Sequence, residues 1–140
     1  MESLNLDFFA STIQLFSPEK CQKMINRCEQ NGFEKLKGFD PSYRNNTRYI
    51  FIDQHLADKI YRKLKDILPK TIKEYRDTWE ICGMNERFRC CKYTENQKFK
   101  IHSDGCYERN SNEKSFLTLN IYLNDVDGKG HTRFFVSQMG

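Results

Sequence analysis

The stretch Arg87-Phe88-Arg89-Cys90-Cys91-Lys92-Tyr93, followed by Gln97-Lys98-Phe99-Lys100-Ile101-His102-Ser103-Asp104-Gly105, decides how this chain is read. It has no helical periodicity, and its short segments suit a pleated surface. The same holds for Ser115-Phe116-Leu117-Thr118-Leu119-Asn120-Ile121-Tyr122-Leu123 and for His131-Thr132-Arg133-Phe134-Phe135-Val136. Polar turns separate these runs. Residues 86–93, 98–102, 115–123 and 131–136 therefore predict antiparallel β structure after Trp79.

Working outward toward the N-terminus, residues 4–15 alternate loosely and read as extended. Ser17-Pro18-Glu19 supplies a helix cap, a proline at the first helical position and an acid in the first turn. Cys21, Met24, Ile25 and Cys28 then mark one helix face, which Asn31-Gly32 ends. A polar loop through Gly38, Pro41 and Asn45-Asn46 leads to Thr47-Arg48-Tyr49-Ile50-Phe51-Ile52, a strand by its β-branched and aromatic content. Asp53 is placed to cap a second helix, in which Leu56, Ile60, Leu64 and Ile67 recur until Pro69 stops it. The expected plan is α+β in one domain, 1–140, with residues 1–80 as helical support and 81–140 as a β core that holds any site.

Composition agrees with a single folded domain. The 140 residues carry 23 Lys+Arg against 19 Asp+Glu, a formal charge of +4. The hydrophobic share, 38%, falls below the usual level, but 11 Phe and 7 Tyr bury large areas each. No apolar run is long enough to span a bilayer, and Glu2 and Asp7 stand where a secretory signal carries bases, so a cytoplasmic location and no membrane partner are expected. The charge is too small and too evenly spread to point to nucleic acid. The six cysteines form no CxxC pair and read as free thiols, with Cys21 and Cys28 in a core and Cys90 and Cys91 on opposite faces of a strand.

Of the three histidines, His55 starts a helix and reads as solvent-facing. His102 is followed at i+2 by Asp104, so on an extended backbone an imidazole and a carboxylate project to one side and can converge on one cation. With a further histidine, such an N/O set is the facial triad of non-haem iron oxygenases.

The segment from Arg87 to Gly105 resembles the iron-binding core of 2-oxoglutarate/Fe(II)-dependent dioxygenases of the prolyl 4-hydroxylase type. In that family a strand ending Tyr-Leu-Asn follows the His-x-Asp pair, here Tyr122-Leu123-Asn124. A Gly-Gly-x-Thr-x-Phe strand comes next, here Lys129-Gly130-His131-Thr132-Arg133-Phe134. Tyr43-Arg44-Asn45-Asn46-Thr47-Arg48 also looks like the family's N-terminal half, so the resemblance covers nearly the whole chain. It implies a double-stranded β-helix, or jelly roll, with His102 and Asp104 as iron ligands. It further implies that Tyr93, Tyr122, Asn120, Thr118 and Thr132 line the pocket for 2-oxoglutarate, with Thr118, Asn120 and Tyr122 sharing a strand face at even spacing. His131 holds the variable position of its motif and is expected to face away from Thr132. The loop 105–114, with Tyr107 and Arg109, borders the expected substrate entrance.

Two turns differ from the family pattern: Glu95-Asn96 replaces Pro-Gly, where Asn accepts left-handed backbone angles, and Lys129 replaces the first of two glycines. The family also places a distal histidine and a basic partner for 2-oxoglutarate several dozen residues beyond the Gly-Gly-x-Thr-x-Phe strand, whereas this sequence stops at Gly140. The expectation is therefore a partial jelly roll lacking its C-terminal strands, from a fragment or short form of a longer enzyme. The implied activity is hydroxylation of a peptidyl proline in a protein or peptide substrate, using O2, Fe(II), 2-oxoglutarate decarboxylated to succinate, and L-ascorbate. Two alternatives stay open: a catalytically silent binding or regulatory domain, and the same iron chemistry on a nucleobase or free amino acid.

Overall fold

Helix α1, Pro18–Asn31, begins where Ser17 Oγ accepts the backbone N–H of Lys20 at 3.3 Å, and ends where Gly32, at φ 84°, donates its N–H to the Cys28 carbonyl. The computed structural model describes residues 13–128 and 130–135. The expected extended run therefore lies outside the described residues up to position 12, as do Lys129 and Val136.

After α1 come β1, Glu34–Lys35, and β2, Thr47–Ile52. Asp53 then accepts the N–H of Leu56 at 2.9 Å and caps α2, Gln54–Leu64. A tight hairpin joins β3, Thr71–Glu74, to β4, Asp77–Glu80. Next is β5, Arg87–Lys92, and a second hairpin joins β6, Glu108–Asn110, to β7, Glu113–Lys114.

The main sheet has the order β1-β2-β5, all antiparallel, with Tyr49 opposite Cys90 and Phe51 opposite Phe88. Because side chains alternate across a strand, these four lie on one face, where Phe51 and Phe88 stack at 5.1 Å between centroids. That face meets both helices: Cys28 of α1 and Leu56, Ile60 and Leu64 of α2 form one cluster with Phe16 and Phe51. Burial pushes the Cys90 thiol up to about 12, with neighbouring Cys28 adding to the effect, so Cys90 is a packing residue and not a nucleophile. Outside the sheet, Trp79 of β4 packs on Phe116 at 5.3 Å and under the Lys114 ammonium at 4.8 Å. Its indole Nε1 is buried with no hydrogen-bond partner among the described residues.

The α+β plan and both helix starts match the sequence reading. Two expectations need correction. Residues 98–102, 115–123 and 131–135 are not strands; only the isolated bridge between Arg44 and Phe99 occurs there. Alternation describes which way side chains can face, but a strand also needs a neighbour to take its N–H and C=O groups, and beyond the short contact of 98–100 with 43–45 none is aligned with these runs among the described residues. The second helix stops at Leu64, leaving Ile67 48% exposed while Leu68 takes its place against the core. Residues 1–80 hold both helices together with β1 to β4. Among the described residues no helix is long and apolar enough to cross a membrane.

Candidate functional site

The segment that carries His102 is fastened to the loop before β2. Asn45 donates its N–H to the Lys98 carbonyl at 3.2 Å and accepts the Lys98 N–H through Oδ1 at 2.8 Å; Lys100 donates to the Tyr43 carbonyl at 2.9 Å. These bonds set Phe99 beside Arg44, whose guanidinium carbon lies 4.0 Å from the ring centroid. The His102 imidazole stacks on Phe99 at 3.6 Å, nearly parallel at 13°. Two planar groups cannot share one face at such distances, so Phe99 is the middle layer between Arg44 and His102. Asn46, 1% exposed, accepts Arg44 Nε at 3.0 Å and donates to the Thr47 carbonyl at 2.9 Å, which fixes the outer layer.

His102 Nδ1 lies 2.7 Å from the Lys100 carbonyl oxygen, a contact that requires a proton on Nδ1. In the neutral ring the lone pair is then on Nε2, and Nε2 is 3.3 Å from Asp104 Oδ1. The i, i+2 spacing thus brings imidazole and carboxylate together, although the backbone there is irregular. The His102 side chain is 29% exposed and that of Asp104 55%. Among the described residues no group of three or more His, Cys, Asp or Glu gathers around a common point.

The residues expected to bind 2-oxoglutarate are divided. Tyr93 lies near the stack: burial pushes its phenol up, and neighbouring Arg44 acts against that shift. Thr118 borders a cleft of about 300 Å³ together with Asp104, Cys106 and Lys114. Tyr122 and Thr132 bond each other through their hydroxyls at 2.5 Å and border a second hollow, of about 280 Å³. Asn120 is exposed and borders neither. The common face expected for Thr118, Asn120 and Tyr122 is therefore not formed, because the backbone that carries them is not a strand. For the same reason His131 does not face away from Thr132: both line the second hollow, and His131 Nε2 accepts Arg133 Nε at 2.8 Å.

Tyr107 and Arg109 stand on and beside the β6–β7 hairpin. Ser115 closes it, accepting the Tyr107 N–H through Oγ and donating to the Tyr107 carbonyl, both at 2.8 Å. Arg109 is held by both oxygens of Glu86, at 3.0 and 2.5 Å, and by Glu113 at 3.0 Å. The Arg109 guanidinium holds the Glu86 carboxyl below the usual carboxylate range.

Phe99, Arg44 and Asn46 are the positioning residues that sequence reading did not single out. Phe99 sits three residues before the histidine, and the Asn45-Asn46 pair reads locally as turn chemistry, so only the paired fold reveals their use. No family model, curated protein or solved structure matches the chain.

Proposed function

We propose that the chain carries the iron-binding part of a 2-oxoglutarate- and Fe(II)-dependent dioxygenase that hydroxylates peptidyl proline. The observation that carries this reading is the orientation of His102: with Nδ1 bonded to the Lys100 carbonyl, Nε2 turns its lone pair toward Asp104 Oδ1 at 3.3 Å. Two acceptors facing each other repel unless a proton or a cation lies between them. Two ligand atoms, each about 2.1 Å from one ion and at right angles, stand about 3 Å apart, so the donor pair fits a divalent ion. One imidazole and one carboxylate supply two of the three facial-triad positions that suit Fe(II).

In this reading His102 and Asp104 hold the iron, while the Lys100 carbonyl and the Phe99 ring fix the imidazole tautomer and plane. Bound there, Fe(II) with 2-oxoglutarate supplies oxidative decarboxylation to succinate and CO2, coupled to oxygen insertion into a substrate C–H bond. Tyr93, near the stack, and Thr118, which shares a cleft with Asp104, orient the cosubstrate, and Tyr107 and Arg109 border the peptide. A jelly-roll plan for the β core belongs to the same proposal. L-Ascorbate keeps the metal reduced. The six free thiols support a reducing, cytoplasmic setting.

The test is anaerobic Fe(II) titration, followed by a succinate assay with 2-oxoglutarate, ascorbate and a panel of proline peptides. Expected are one bound Fe(II) per chain, loss of that binding in His102→Ala and Asp104→Ala, and peptide-stimulated succinate release. Absence of iron binding would favour a silent binding domain. Iron binding with succinate release that no proline peptide stimulates would redirect the substrate reading.

A further inference from the structure

The face of the main sheet turned away from the core carries a separate feature. Cross-strand pairs put Arg48 beside Cys91, Ile50 beside Arg89, and Ile52 beside Arg87. Alternation places these six on the side opposite Tyr49, Phe51, Phe88 and Cys90. Arg44 joins them from the preceding loop, its guanidinium 3.6 Å from Cys91 Sγ. Among the described residues none of Arg44, Arg48, Arg87 or Arg89 forms an ion pair with a carboxylate. Glu34 faces Arg48 from β1, at the far edge of the sheet, without an ion pair. The positive charge is therefore concentrated toward β5. Arg48 registers the crowding: its affinity for its proton is lowered first by burial and then by Arg44, Arg89 and Arg87.

A second, independent observation concerns the backbone. β5 is an edge strand of its sheet, as β1 is on the other side. Among the described residues, no backbone group of 88–92 is hydrogen bonded outside the ladder to β2. One row of N–H and C=O groups over five residues is thus open for another extended chain. We propose that this edge docks an extended acidic peptide by strand addition, its alternate carboxylates lying against Arg87 and Arg89.

The chemistry of the face selects this partner. The side chains between the arginines are Ile50, Ile52 and Cys91, with Ile52 69% exposed, while Tyr49, Phe51 and Phe88 of the sheet face the core. Bases of a single-stranded nucleic acid therefore find no ring to stack on between Arg87 and Arg89, the exposed aromatics Tyr93 and Phe39 lying at the Arg44 end. A second copy of β5 would set arginine against arginine, which disfavours self-pairing. A strand with acids at every second position satisfies both the open ladder and the unpaired guanidinium groups.

A fluorescein-labelled peptide of alternating Glu and Thr, titrated with the full chain and followed by anisotropy, tests the proposal. Binding is expected, weakening at least about tenfold in the Arg87→Gln/Arg89→Gln double variant, as loss of charge-assisted bonds implies. N-methylation of alternate peptide amides along one edge should abolish it. Both arginines are exposed, so far-UV circular dichroism should not change. An Arg87→Glu/Arg89→Glu variant should instead bind a labelled peptide of alternating Lys and Thr, which tests the face even where the neutral variant loses stability. Equal affinity of the double variant, indifference to N-methylation, or stronger competition by an oligothymidylate would each overturn the proposal. None of these readouts involves His102 or iron, so they are independent of the proposed dioxygenase activity.

Discussion

Asn96 and Tyr75 both hold a positive φ, 66° and 54°, but only the first could be read from the sequence. Asparagine tolerates that region, and the turn closes with Gln97 donating its N–H to the Thr94 carbonyl at 3.0 Å. Tyrosine does not favour it; Tyr75 is forced there by the two-residue connection between Glu74 and Asp77, and its side chain is fully exposed. Tyr75→Gly should therefore stabilise the protein by about 0.5–1 kcal/mol, read as a higher urea midpoint with unchanged slope, since strain is relieved and no contact is lost. An unchanged or lower midpoint would mean the turn carries no strain. The His102–Asp104 pair was legible because a two-residue spacing is a local property. Its supports were not, because Arg44 and Phe99 are distant in sequence and meet only through backbone pairing. Glu86 and Arg109 met in the same way, and their contact predicts a pH effect. Folding lowers the Glu86 value, so its stabilisation is present above the unfolded glutamate range, about 4.3, and is lost as pH falls through the depressed folded value. Glu86→Gln should lower the urea midpoint at pH 7, with the gap to the parent chain closing toward acid. A gap independent of pH would deny the ion pair any role.

At the scale of elements, both helices were legible from a stripe of apolar residues preceded by a cap, because such a stripe specifies burial without knowledge of the partner. Asp53→Ala removes the cap of α2 and should cost about 1 kcal/mol, and Ile60→Ala, at a fully buried position, about 2–5 kcal/mol. Thermal unfolding of the two variants should rank them in that order. The end of α2 was less legible. Proline marks the farthest point a helix can reach, not the point where it stops, and Lys65 closes this one by donating to the Tyr61 carbonyl. For strands, sequence identified β2 and β5, whose aromatic faces have a core to cover, but it could not distinguish them from 98–102 and 115–123. All of these alternate; what separates them is whether another backbone lies alongside.

Across the whole molecule, every fully buried side chain among the described residues falls between Phe16 and Leu64. Beyond β7, only Ile121 and Leu123 among the described residues reach that cluster, while Leu117, Leu119, Tyr122, Val126, Phe134 and Phe135 remain exposed. The broad α+β class follows from elements and was legible, but closure of a barrel depends on strands that this structure does not pair. Amide hydrogen exchange should therefore show strong protection in α2 and in the β2–β5 ladder, with little over 116–123. Protection across 116–123 comparable to that of β2 would instead show that this segment is paired as a strand. Trp79 offers a simple way to follow the junction between these parts. It is the single tryptophan of the chain, wedged among Phe116, Lys114 and the β3–β4 hairpin with its N–H sealed from water. The protein thus carries one indole fluorophore at one defined seam, excitable apart from its tyrosines, and a red shift in its emission times the parting of that seam without any attached dye.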